Sequence, residues 1–375
     1  MAAGFHPTRS PLACSRCQFS ANPLRFLAML EASFMKLPTV CINPGGLLKV
    51  SARQDGPVLF LRSWPAIIMS RMKSPQSGIF ALGTASHTYL EFDVAAGQKG
   101  QDLVAAVSSL REPRTTAGGV NLVAGFRPEL WRKAAPDDAP PAIQGFNKDL
   151  MGTDAFVMPA TQHDAVLWLS GSSYDVIFDV ARQAIAELKG LGSVAEETAS
   201  WPYQHDRDLT GFIDGSENPT LIEAAEVALI PEGNRGAGGT ILLLQKWVHD
   251  TAVWEALPVT SQERVIGRMK ADSVEIEDKA SDSHVASTDQ DRFGKIFRRN
   301  MPYGTVTNHG TMFVGFSADQ QRLSKMLESM AGLAGGARDA LTRYTRPLTG
   351  AYYFVPSTER LSQPIDGATY TTATT

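Results

Sequence analysis

GTMFVGFSADQQRLSKMLESM, residues 310–330, is an apolar run, a short polar break and then an apolar stripe at helical spacing. Residues 310–316 read as a buried strand. Residues 318–330 read as a helix, with Leu323, Met326, Leu327 and Met330 on one face. Ser317, with Gln320 three positions later, predicts a capping box at its start. The same order recurs upstream: DAVLWL at 164–169, a serine, then a helix over 173–188 carrying Ile177, Ala181, Ile185 and Leu188. Two further strands lead into helical stretches, TYLEFDV at 88–94 before residues 100–110 and TILLLQKW at 240–247 before a short apolar-periodic piece. Two strand–helix units in each half imply an internal duplication. The expected fold is α+β, with two ferredoxin-like β-α-β-β-α-β halves, the first over about 78–200 and the second over about 235–355. Both helical stripes read as core and carry no functional meaning at this point. Residues 134–141, AAPDDAPP, read as a solvated loop, and the glycine cluster at 233–239 as a turn into strand 240–247. That cluster precedes a strand and lacks a Gly-Lys-Ser/Thr ending, which excludes a phosphate loop.

The chain has 375 residues, of which 43% are hydrophobic and 20% charged, so it carries enough apolar material for a sizeable core. Its longest apolar runs, such as residues 241–244, fall far short of a bilayer span. A net charge of −4 argues against a protein that grips nucleic acid through phosphates. The charge is unevenly spread. Residues 1–73 hold nine basic residues against two acidic ones, and all three cysteines, Cys14, Cys17 and Cys41. The rest is acidic and free of cysteine, so it is neither disulfide-stapled nor thiolate-based. Prolines 7, 11, 23, 38, 44, 57 and 65 interrupt every candidate helix in the basic part. It reads as an unfolded appendage: an organelle transit peptide, or an over-extended start with Met72 as the natural first residue. Cys14 and Cys17 have the spacing of half a zinc site, but no second ligand pair lies nearby.

Nucleophile signatures are absent: there is no HExxH, no Gly-x-Ser-x-Gly and no cysteine in the body. Three segments remain. In DLTGFIDGSENPT, residues 208–220, Gly211, Gly215 and Pro219 imply a tight loop. An aspartate at 214, between Ile213 and Gly215, would be desolvated and suited to proton transfer. A surface turn, or a weak calcium loop of Asp214, Ser216, Glu217 and Asn218, fits the same residues. Asp282-Ser283-His284-Val285 contains one of seven histidines, any of which is as readily structural as ligating. Residues 298–304, RRNMPYG, place arginine and asparagine before a proline turn, which suits a carboxylate, phosphate or propionate, or simply an exposed basic bend.

Taken in order, GFIDGSENP (211–219), SHVAST (283–288) and RRNMPYG (298–304) resemble the dye-decolorizing peroxidases, and most nearly their B-type branch. The likeness spans about residues 77–360, including MPATQHDAVLWLSG at 158–171 and RPLTGAYYFVPS at 346–357. The family fold is a duplicated ferredoxin-like domain, which agrees with the internal repeat. The resemblance implies one haem b per chain, with His284 as proximal iron ligand. Asp214 would be the distal aspartate, Arg298 the distal arginine (and a propionate anchor) and Asn300 its polar neighbour, with Arg298 ranked above Asp214 for rate. Ile213, Gly215 and strand 311–316 are expected to line the distal pocket, and Asp339 is the candidate carboxylate behind His284.

The implied organisation is a basic extension at 1–73, a first half at 74–205, a second half with the haem site at 206–360, and a polar tail at 361–375. The implied activity is oxidation of organic donors (dyes, phenolics, porphyrinogens) by hydrogen peroxide through a ferryl intermediate. The alternative is a haem-handling protein, a carrier or an agent of iron release, with incidental peroxidase turnover. A homo-oligomer without nucleic-acid or membrane partners is expected. The location would be cytoplasmic, or an organelle if residues 1–73 are a transit peptide.

Overall fold

The strand Thr240–His249 explains why the protein has two apolar layers. Leu242 and Leu244 point to one side and pack with Trp168, Tyr353 and Phe316. Ile241 and Leu243 point to the other and join a separate core under the helices. The period of two makes one strand serve both. The computed structural model describes residues 73–110 and 119–370, together with the backbone of two short strands, Val40–Ile42 and Leu48–Val50. The chain divides into two compact units, Met1–Met69 and Ser70–Thr375. In the first, the two short strands pair antiparallel. The expectations for the rest of residues 1–72, the spaced cysteines Cys14 and Cys17 included, lie outside the described residues.

The second unit opens with β1 (Ser86–Val94), α1 (Gly100–Ser109), β2 (Asn121–Phe126), β3 (Ala165–Gly171), α2 (Tyr174–Glu187) and β4 (Gly192–Ser200). All pairings are antiparallel, in the order β4-β1-β3-β2. The series then repeats with β5 (Thr240–His249), a group of short helices, β6 (Met301–Gly304), β7 (His309–Ser317), α3 (Gln320–Met330) and β8 (Ala351–Val355). Here the order is β8-β5-β7-β6, the same arrangement of first, second, third and fourth strands. The fold is thus α+β with two ferredoxin-like halves, as the repeat predicts. The sheets meet edge to edge through single residue pairs, Tyr303 with Ser200 and Phe354 with Phe126. These joints close eight strands into a ring, with β4 meeting β6 only at Ser200 and β2 meeting β8 only at Phe126.

Two local expectations need correction. Asp319, not Ser317, caps α3: its carboxylate accepts from the Gln321 N–H, and the helix starts two residues later than expected. Ser317 instead exchanges hydrogen bonds with the backbone of Asp319, and the Gln320 amide reaches Gln144. Residues 134–141 are not a solvated loop, since Ala134, Ala135, Asp138 and Ala139 are all buried. The indole N–H of buried Trp131 needs an acceptor, and the Asp138 carboxylate supplies it at 3.3 Å.

The interior of the ring holds one buried acid, Glu91, which accepts from the Tyr353 hydroxyl at 2.5 Å. Burial pushes its carboxyl up to about 7, against the opposing pull of that hydrogen bond. Because the folded value lies above the unfolded one, the stability Glu91 contributes is complete below about pH 4.5 and is lost as pH rises through 7. Glu91→Gln keeps an acceptor for Tyr353 without the charge. The variant should therefore gain about 3 kcal/mol on the parent between pH 5 and pH 9 in denaturant unfolding. Parallel pH profiles for the two proteins would show that the interior tolerates the charge.

Candidate active site

The outer face of β5 and β7 is covered by α3, and between them lies a cavity. Alternation along β5 puts Leu243, Gln245, Trp247 and His249 on its wall, and Thr311 and Phe313 face it from β7. The opposite wall is the α3 stripe itself: Leu323, Met326, Leu327 and Met330. The sequence reading gave that stripe to the core alone, but it is core and cavity wall at once. Every residue that lines the cavity falls between 208 and 345, within the second half.

His284 stands at the start of a one-turn helix, His284–Ser287, whose N-cap hydroxyl, Ser283, accepts from the Ala286 N–H. Its Nδ1 lies 2.7 Å from Oδ2 of Asp339. Asp339 is fully buried, and its other oxygen accepts from the Leu341 N–H at 2.9 Å. An ionised carboxylate only accepts, so the Asp339 contact places a proton on Nδ1 and leaves Nε2 of a neutral ring with a free lone pair. Burial alone would depress the His284 pKa, but the charge and hydrogen bond of Asp339 outweigh it and hold the ring above its ordinary value. The Ala340 N–H donates to the Asp282 carbonyl at 2.7 Å, which ties the two loops that carry the pair.

Asp214, Arg298 and Asn300 are gathered on the same cavity. The Asn300 amide donates to Asp214 Oδ1 at 3.3 Å, and its oxygen accepts from the Val314 N–H at 2.9 Å, which fixes the orientation of the amide. Arg298 and Asn300 point into the cavity while Arg299, between them, points away. Arg299 is buried over the Trp168 ring and donates to the carbonyls of Gly78, Ile79 and Ala81. Among the described residues Arg298 Nε has no hydrogen-bond partner, although it is buried. Arg298 is also the one arginine or lysine among the described residues lining the cavity.

Ile213 and Gly215, expected on the cavity wall, are not there. Ile213 bridges backbone to backbone with Arg207. Gly215 sits at φ +78°, where a Cβ would come 2.9 Å from Nδ2 of Asn218, so its place is to close the turn. Two further titratable residues on the wall were missed. Asp208 accepts from the Thr210 N–H and hydroxyl, and burial, followed by the charge of Asp214, pushes it up to about 6. His249 is pushed down to about 4 by burial and by the charge of His309. Gln245 and His249, polar residues alternating with Leu243 and Trp247 on one face of β5, were the signal available for that wall.

The family model for the C-terminal part of Dyp-type peroxidases matches residues 205–360. A dye-decolorizing peroxidase of Rhodococcus erythropolis is 34% identical over 302 residues, covering 76% of this chain and 88% of the relative. One of Brevibacterium linens is 35% identical over 255 residues, covering 65% and 69%. Among solved structures, DypB of Rhodococcus jostii superposes with a TM-score of 0.71 at 29% identity, covering 78% of this chain and 98% of that one. Variants of that protein have been solved in complex with haem. The two joined ferredoxin-like sheets of this chain carry, beside the cavity, a part-buried histidine hydrogen-bonded to a fully buried aspartate. The chain belongs to the dye-decolorizing peroxidase family. No described helix is long and apolar enough to cross a membrane.

Proposed function

We propose that this peroxidase holds one haem b in the cavity, bound through His284 Nε2, and that Arg298, Asp214 and Asn300 handle hydrogen peroxide there. The residues fit such a group. The wall supplied by α3 is apolar, the imidazole has one nitrogen committed to Asp339, and the buried Nε of Arg298 is an unused donor. The observation that carries the reading is the Asp339–His284 hydrogen bond, because it prepares a neutral imidazole as a ligand of raised basicity. When bound, haem supplies the redox chemistry, taking two oxidising equivalents from peroxide and passing them singly to organic donors.

On the peroxide, Asp214 takes the proton from one oxygen and returns it to the oxygen that leaves as water. Asn300 holds the Asp214 oxygen in place by donating to it. Arg298 presents a permanent positive charge where negative charge develops on the leaving oxygen. Organic donors such as dyes, phenolics and porphyrinogens are the class of reductant in this reading.

Titrating haem b into the chain tests the reading: one equivalent should bind per chain with a Soret band. A stoichiometric pulse of hydrogen peroxide should then shift that band, and a phenol should restore it. Haem binding without any response to peroxide would favour a haem-handling role instead.

A further inference from the structure

Arg298 reaches the cavity from a two-residue strand, Phe297–Arg298, which pairs on one side with Phe316 and Gly315 of β7. Among the described residues no strand lies on its other side. The backbone of Arg298 is engaged there by a side chain instead. The Arg298 N–H donates to Asn218 Oδ1 at 2.9 Å, and Asn218 Nδ2 donates to the Arg298 carbonyl, also at 2.9 Å. A primary amide carries a donor and an acceptor in one plane, as a peptide group does, so Asn218 stands in for a neighbouring strand. Aspartate could accept but would set an anion against the carbonyl, and leucine could do neither.

The loop that supplies Asn218 also supplies Asp214, and it is fastened at several points. The Asp214 N–H donates to the Asp206 carbonyl at 2.8 Å, and the Asn218 N–H closes the turn on the Gly215 carbonyl at 2.8 Å. Gln290 donates to the Glu217 carbonyl and accepts from the Ile296 N–H, spanning the same two segments one step away. Pro219 restricts the backbone of Asn218 to extended conformations. Gly215 leaves the space that the amide occupies. The Arg298 guanidinium has no anchor at Nε, so its aim depends on how its backbone is held.

We infer that Asn218 is a positioning residue: its amide locks the strand of Arg298 to the loop of Asp214, so that the two groups face peroxide as one rigid unit. The inference rests on the proposed role of Arg298, and the test separates the two. The proteins are the haem-loaded parent, Asn218→Leu, Asn218→Asp, Arg298→Leu and the double variant Asn218→Leu/Arg298→Leu. The first readout is the dissociation constant of sodium fluoride from the ferric protein, which reports hydrogen-bond donors beside the iron without any turnover. The second is the rate of the peroxide-driven Soret change.

Both Asn218 variants should keep haem and an unchanged Soret position. Each should weaken fluoride binding and slow the peroxide reaction on the order of 10- to 10²-fold, the scale of a misplaced catalytic group. In the Arg298→Leu background, Asn218→Leu should add almost nothing, because what it positions is already gone. Additive losses in the double variant, or parental fluoride affinity in both Asn218 variants alongside a weakened Arg298→Leu, would overturn the positioning role. Parental affinity and rate in Arg298→Leu itself would overturn the reading of Arg298 instead. If Asn218→Leu does not fold, the isosteric Asn218→Asp carries the comparison alone.

Discussion

Arg298→Leu should slow the reaction of the haem-loaded protein with hydrogen peroxide on the order of 10² to 10³-fold, the cost of removing one preorganised charge-stabilising donor. Haem should remain bound. Asp214→Asn should cost less than that, and less than the 10² to 10⁴ or so that a lone acid–base group provides. The ranking follows from what else lines the cavity. Asp208 is a second carboxyl on the same wall, already pushed up to about 6, so a proton carrier remains when Asp214 is neutralised. No other arginine or lysine among the described lining residues can replace Arg298. Asp208→Asn/Asp214→Asn should therefore lose far more than either single variant. Rapid mixing with peroxide at several pH values measures the parent, Arg298→Leu, Asp214→Asn, Asp208→Asn and the double variant. A normal rate in Arg298→Leu with a collapsed rate in Asp214→Asn would reverse the ranking and make the site aspartate-driven.

The second large effect is on haem itself. His284→Ala should bind little haem, and added imidazole should restore part of the Soret band by filling the space of the lost ring. The substitution also leaves the fully buried Asp339 carboxylate without its imidazole, at a cost of about 3 kcal/mol of stability. The other histidine on the cavity wall, His249, lacks such a carboxylate: burial and the charge of His309 push it down, not up. It is thus a poor substitute in basicity. Full haem occupancy with an unchanged spectrum in His284→Ala would remove His284 from the iron, and repeating the measurement in His249→Ala would show whether His249 holds it.

The two halves were legible because strand and helix periods are local properties. The run at 310–316 and the stripe at 323–330 each announce their element, and their recurrence at 164–188 announces the duplication. The closing of the ring was not legible, since it depends on two single pairings between residues far apart in the chain, Tyr303 with Ser200 and Phe354 with Phe126. The site was legible only as three motifs in order; by themselves the residues left alternatives open. The α3 stripe could not declare its second role, because an apolar cavity wall and a core demand the same side chains. Ile213 and Gly215 were misplaced because adjacency to Asp214 in sequence is not adjacency in a tight turn. Asp208 and Asn218 lay inside the quoted segment, yet what they do is set by contacts with the cavity and with Arg298, eighty residues on from Asn218.

The central claim is that a neutral His284 imidazole, its Nδ1–H given to Asp339, binds the haem iron. The iron–imidazole stretching band in the resonance Raman spectrum of the ferrous protein tests it most directly, because the frequency follows the basicity of the ligand. The parent should show a strong, high-frequency band, Asp339→Asn should lower it with haem still bound, and His284→Ala should abolish it. An identical band in the parent and Asp339→Asn, or a band that survives in His284→Ala, would contradict the claim.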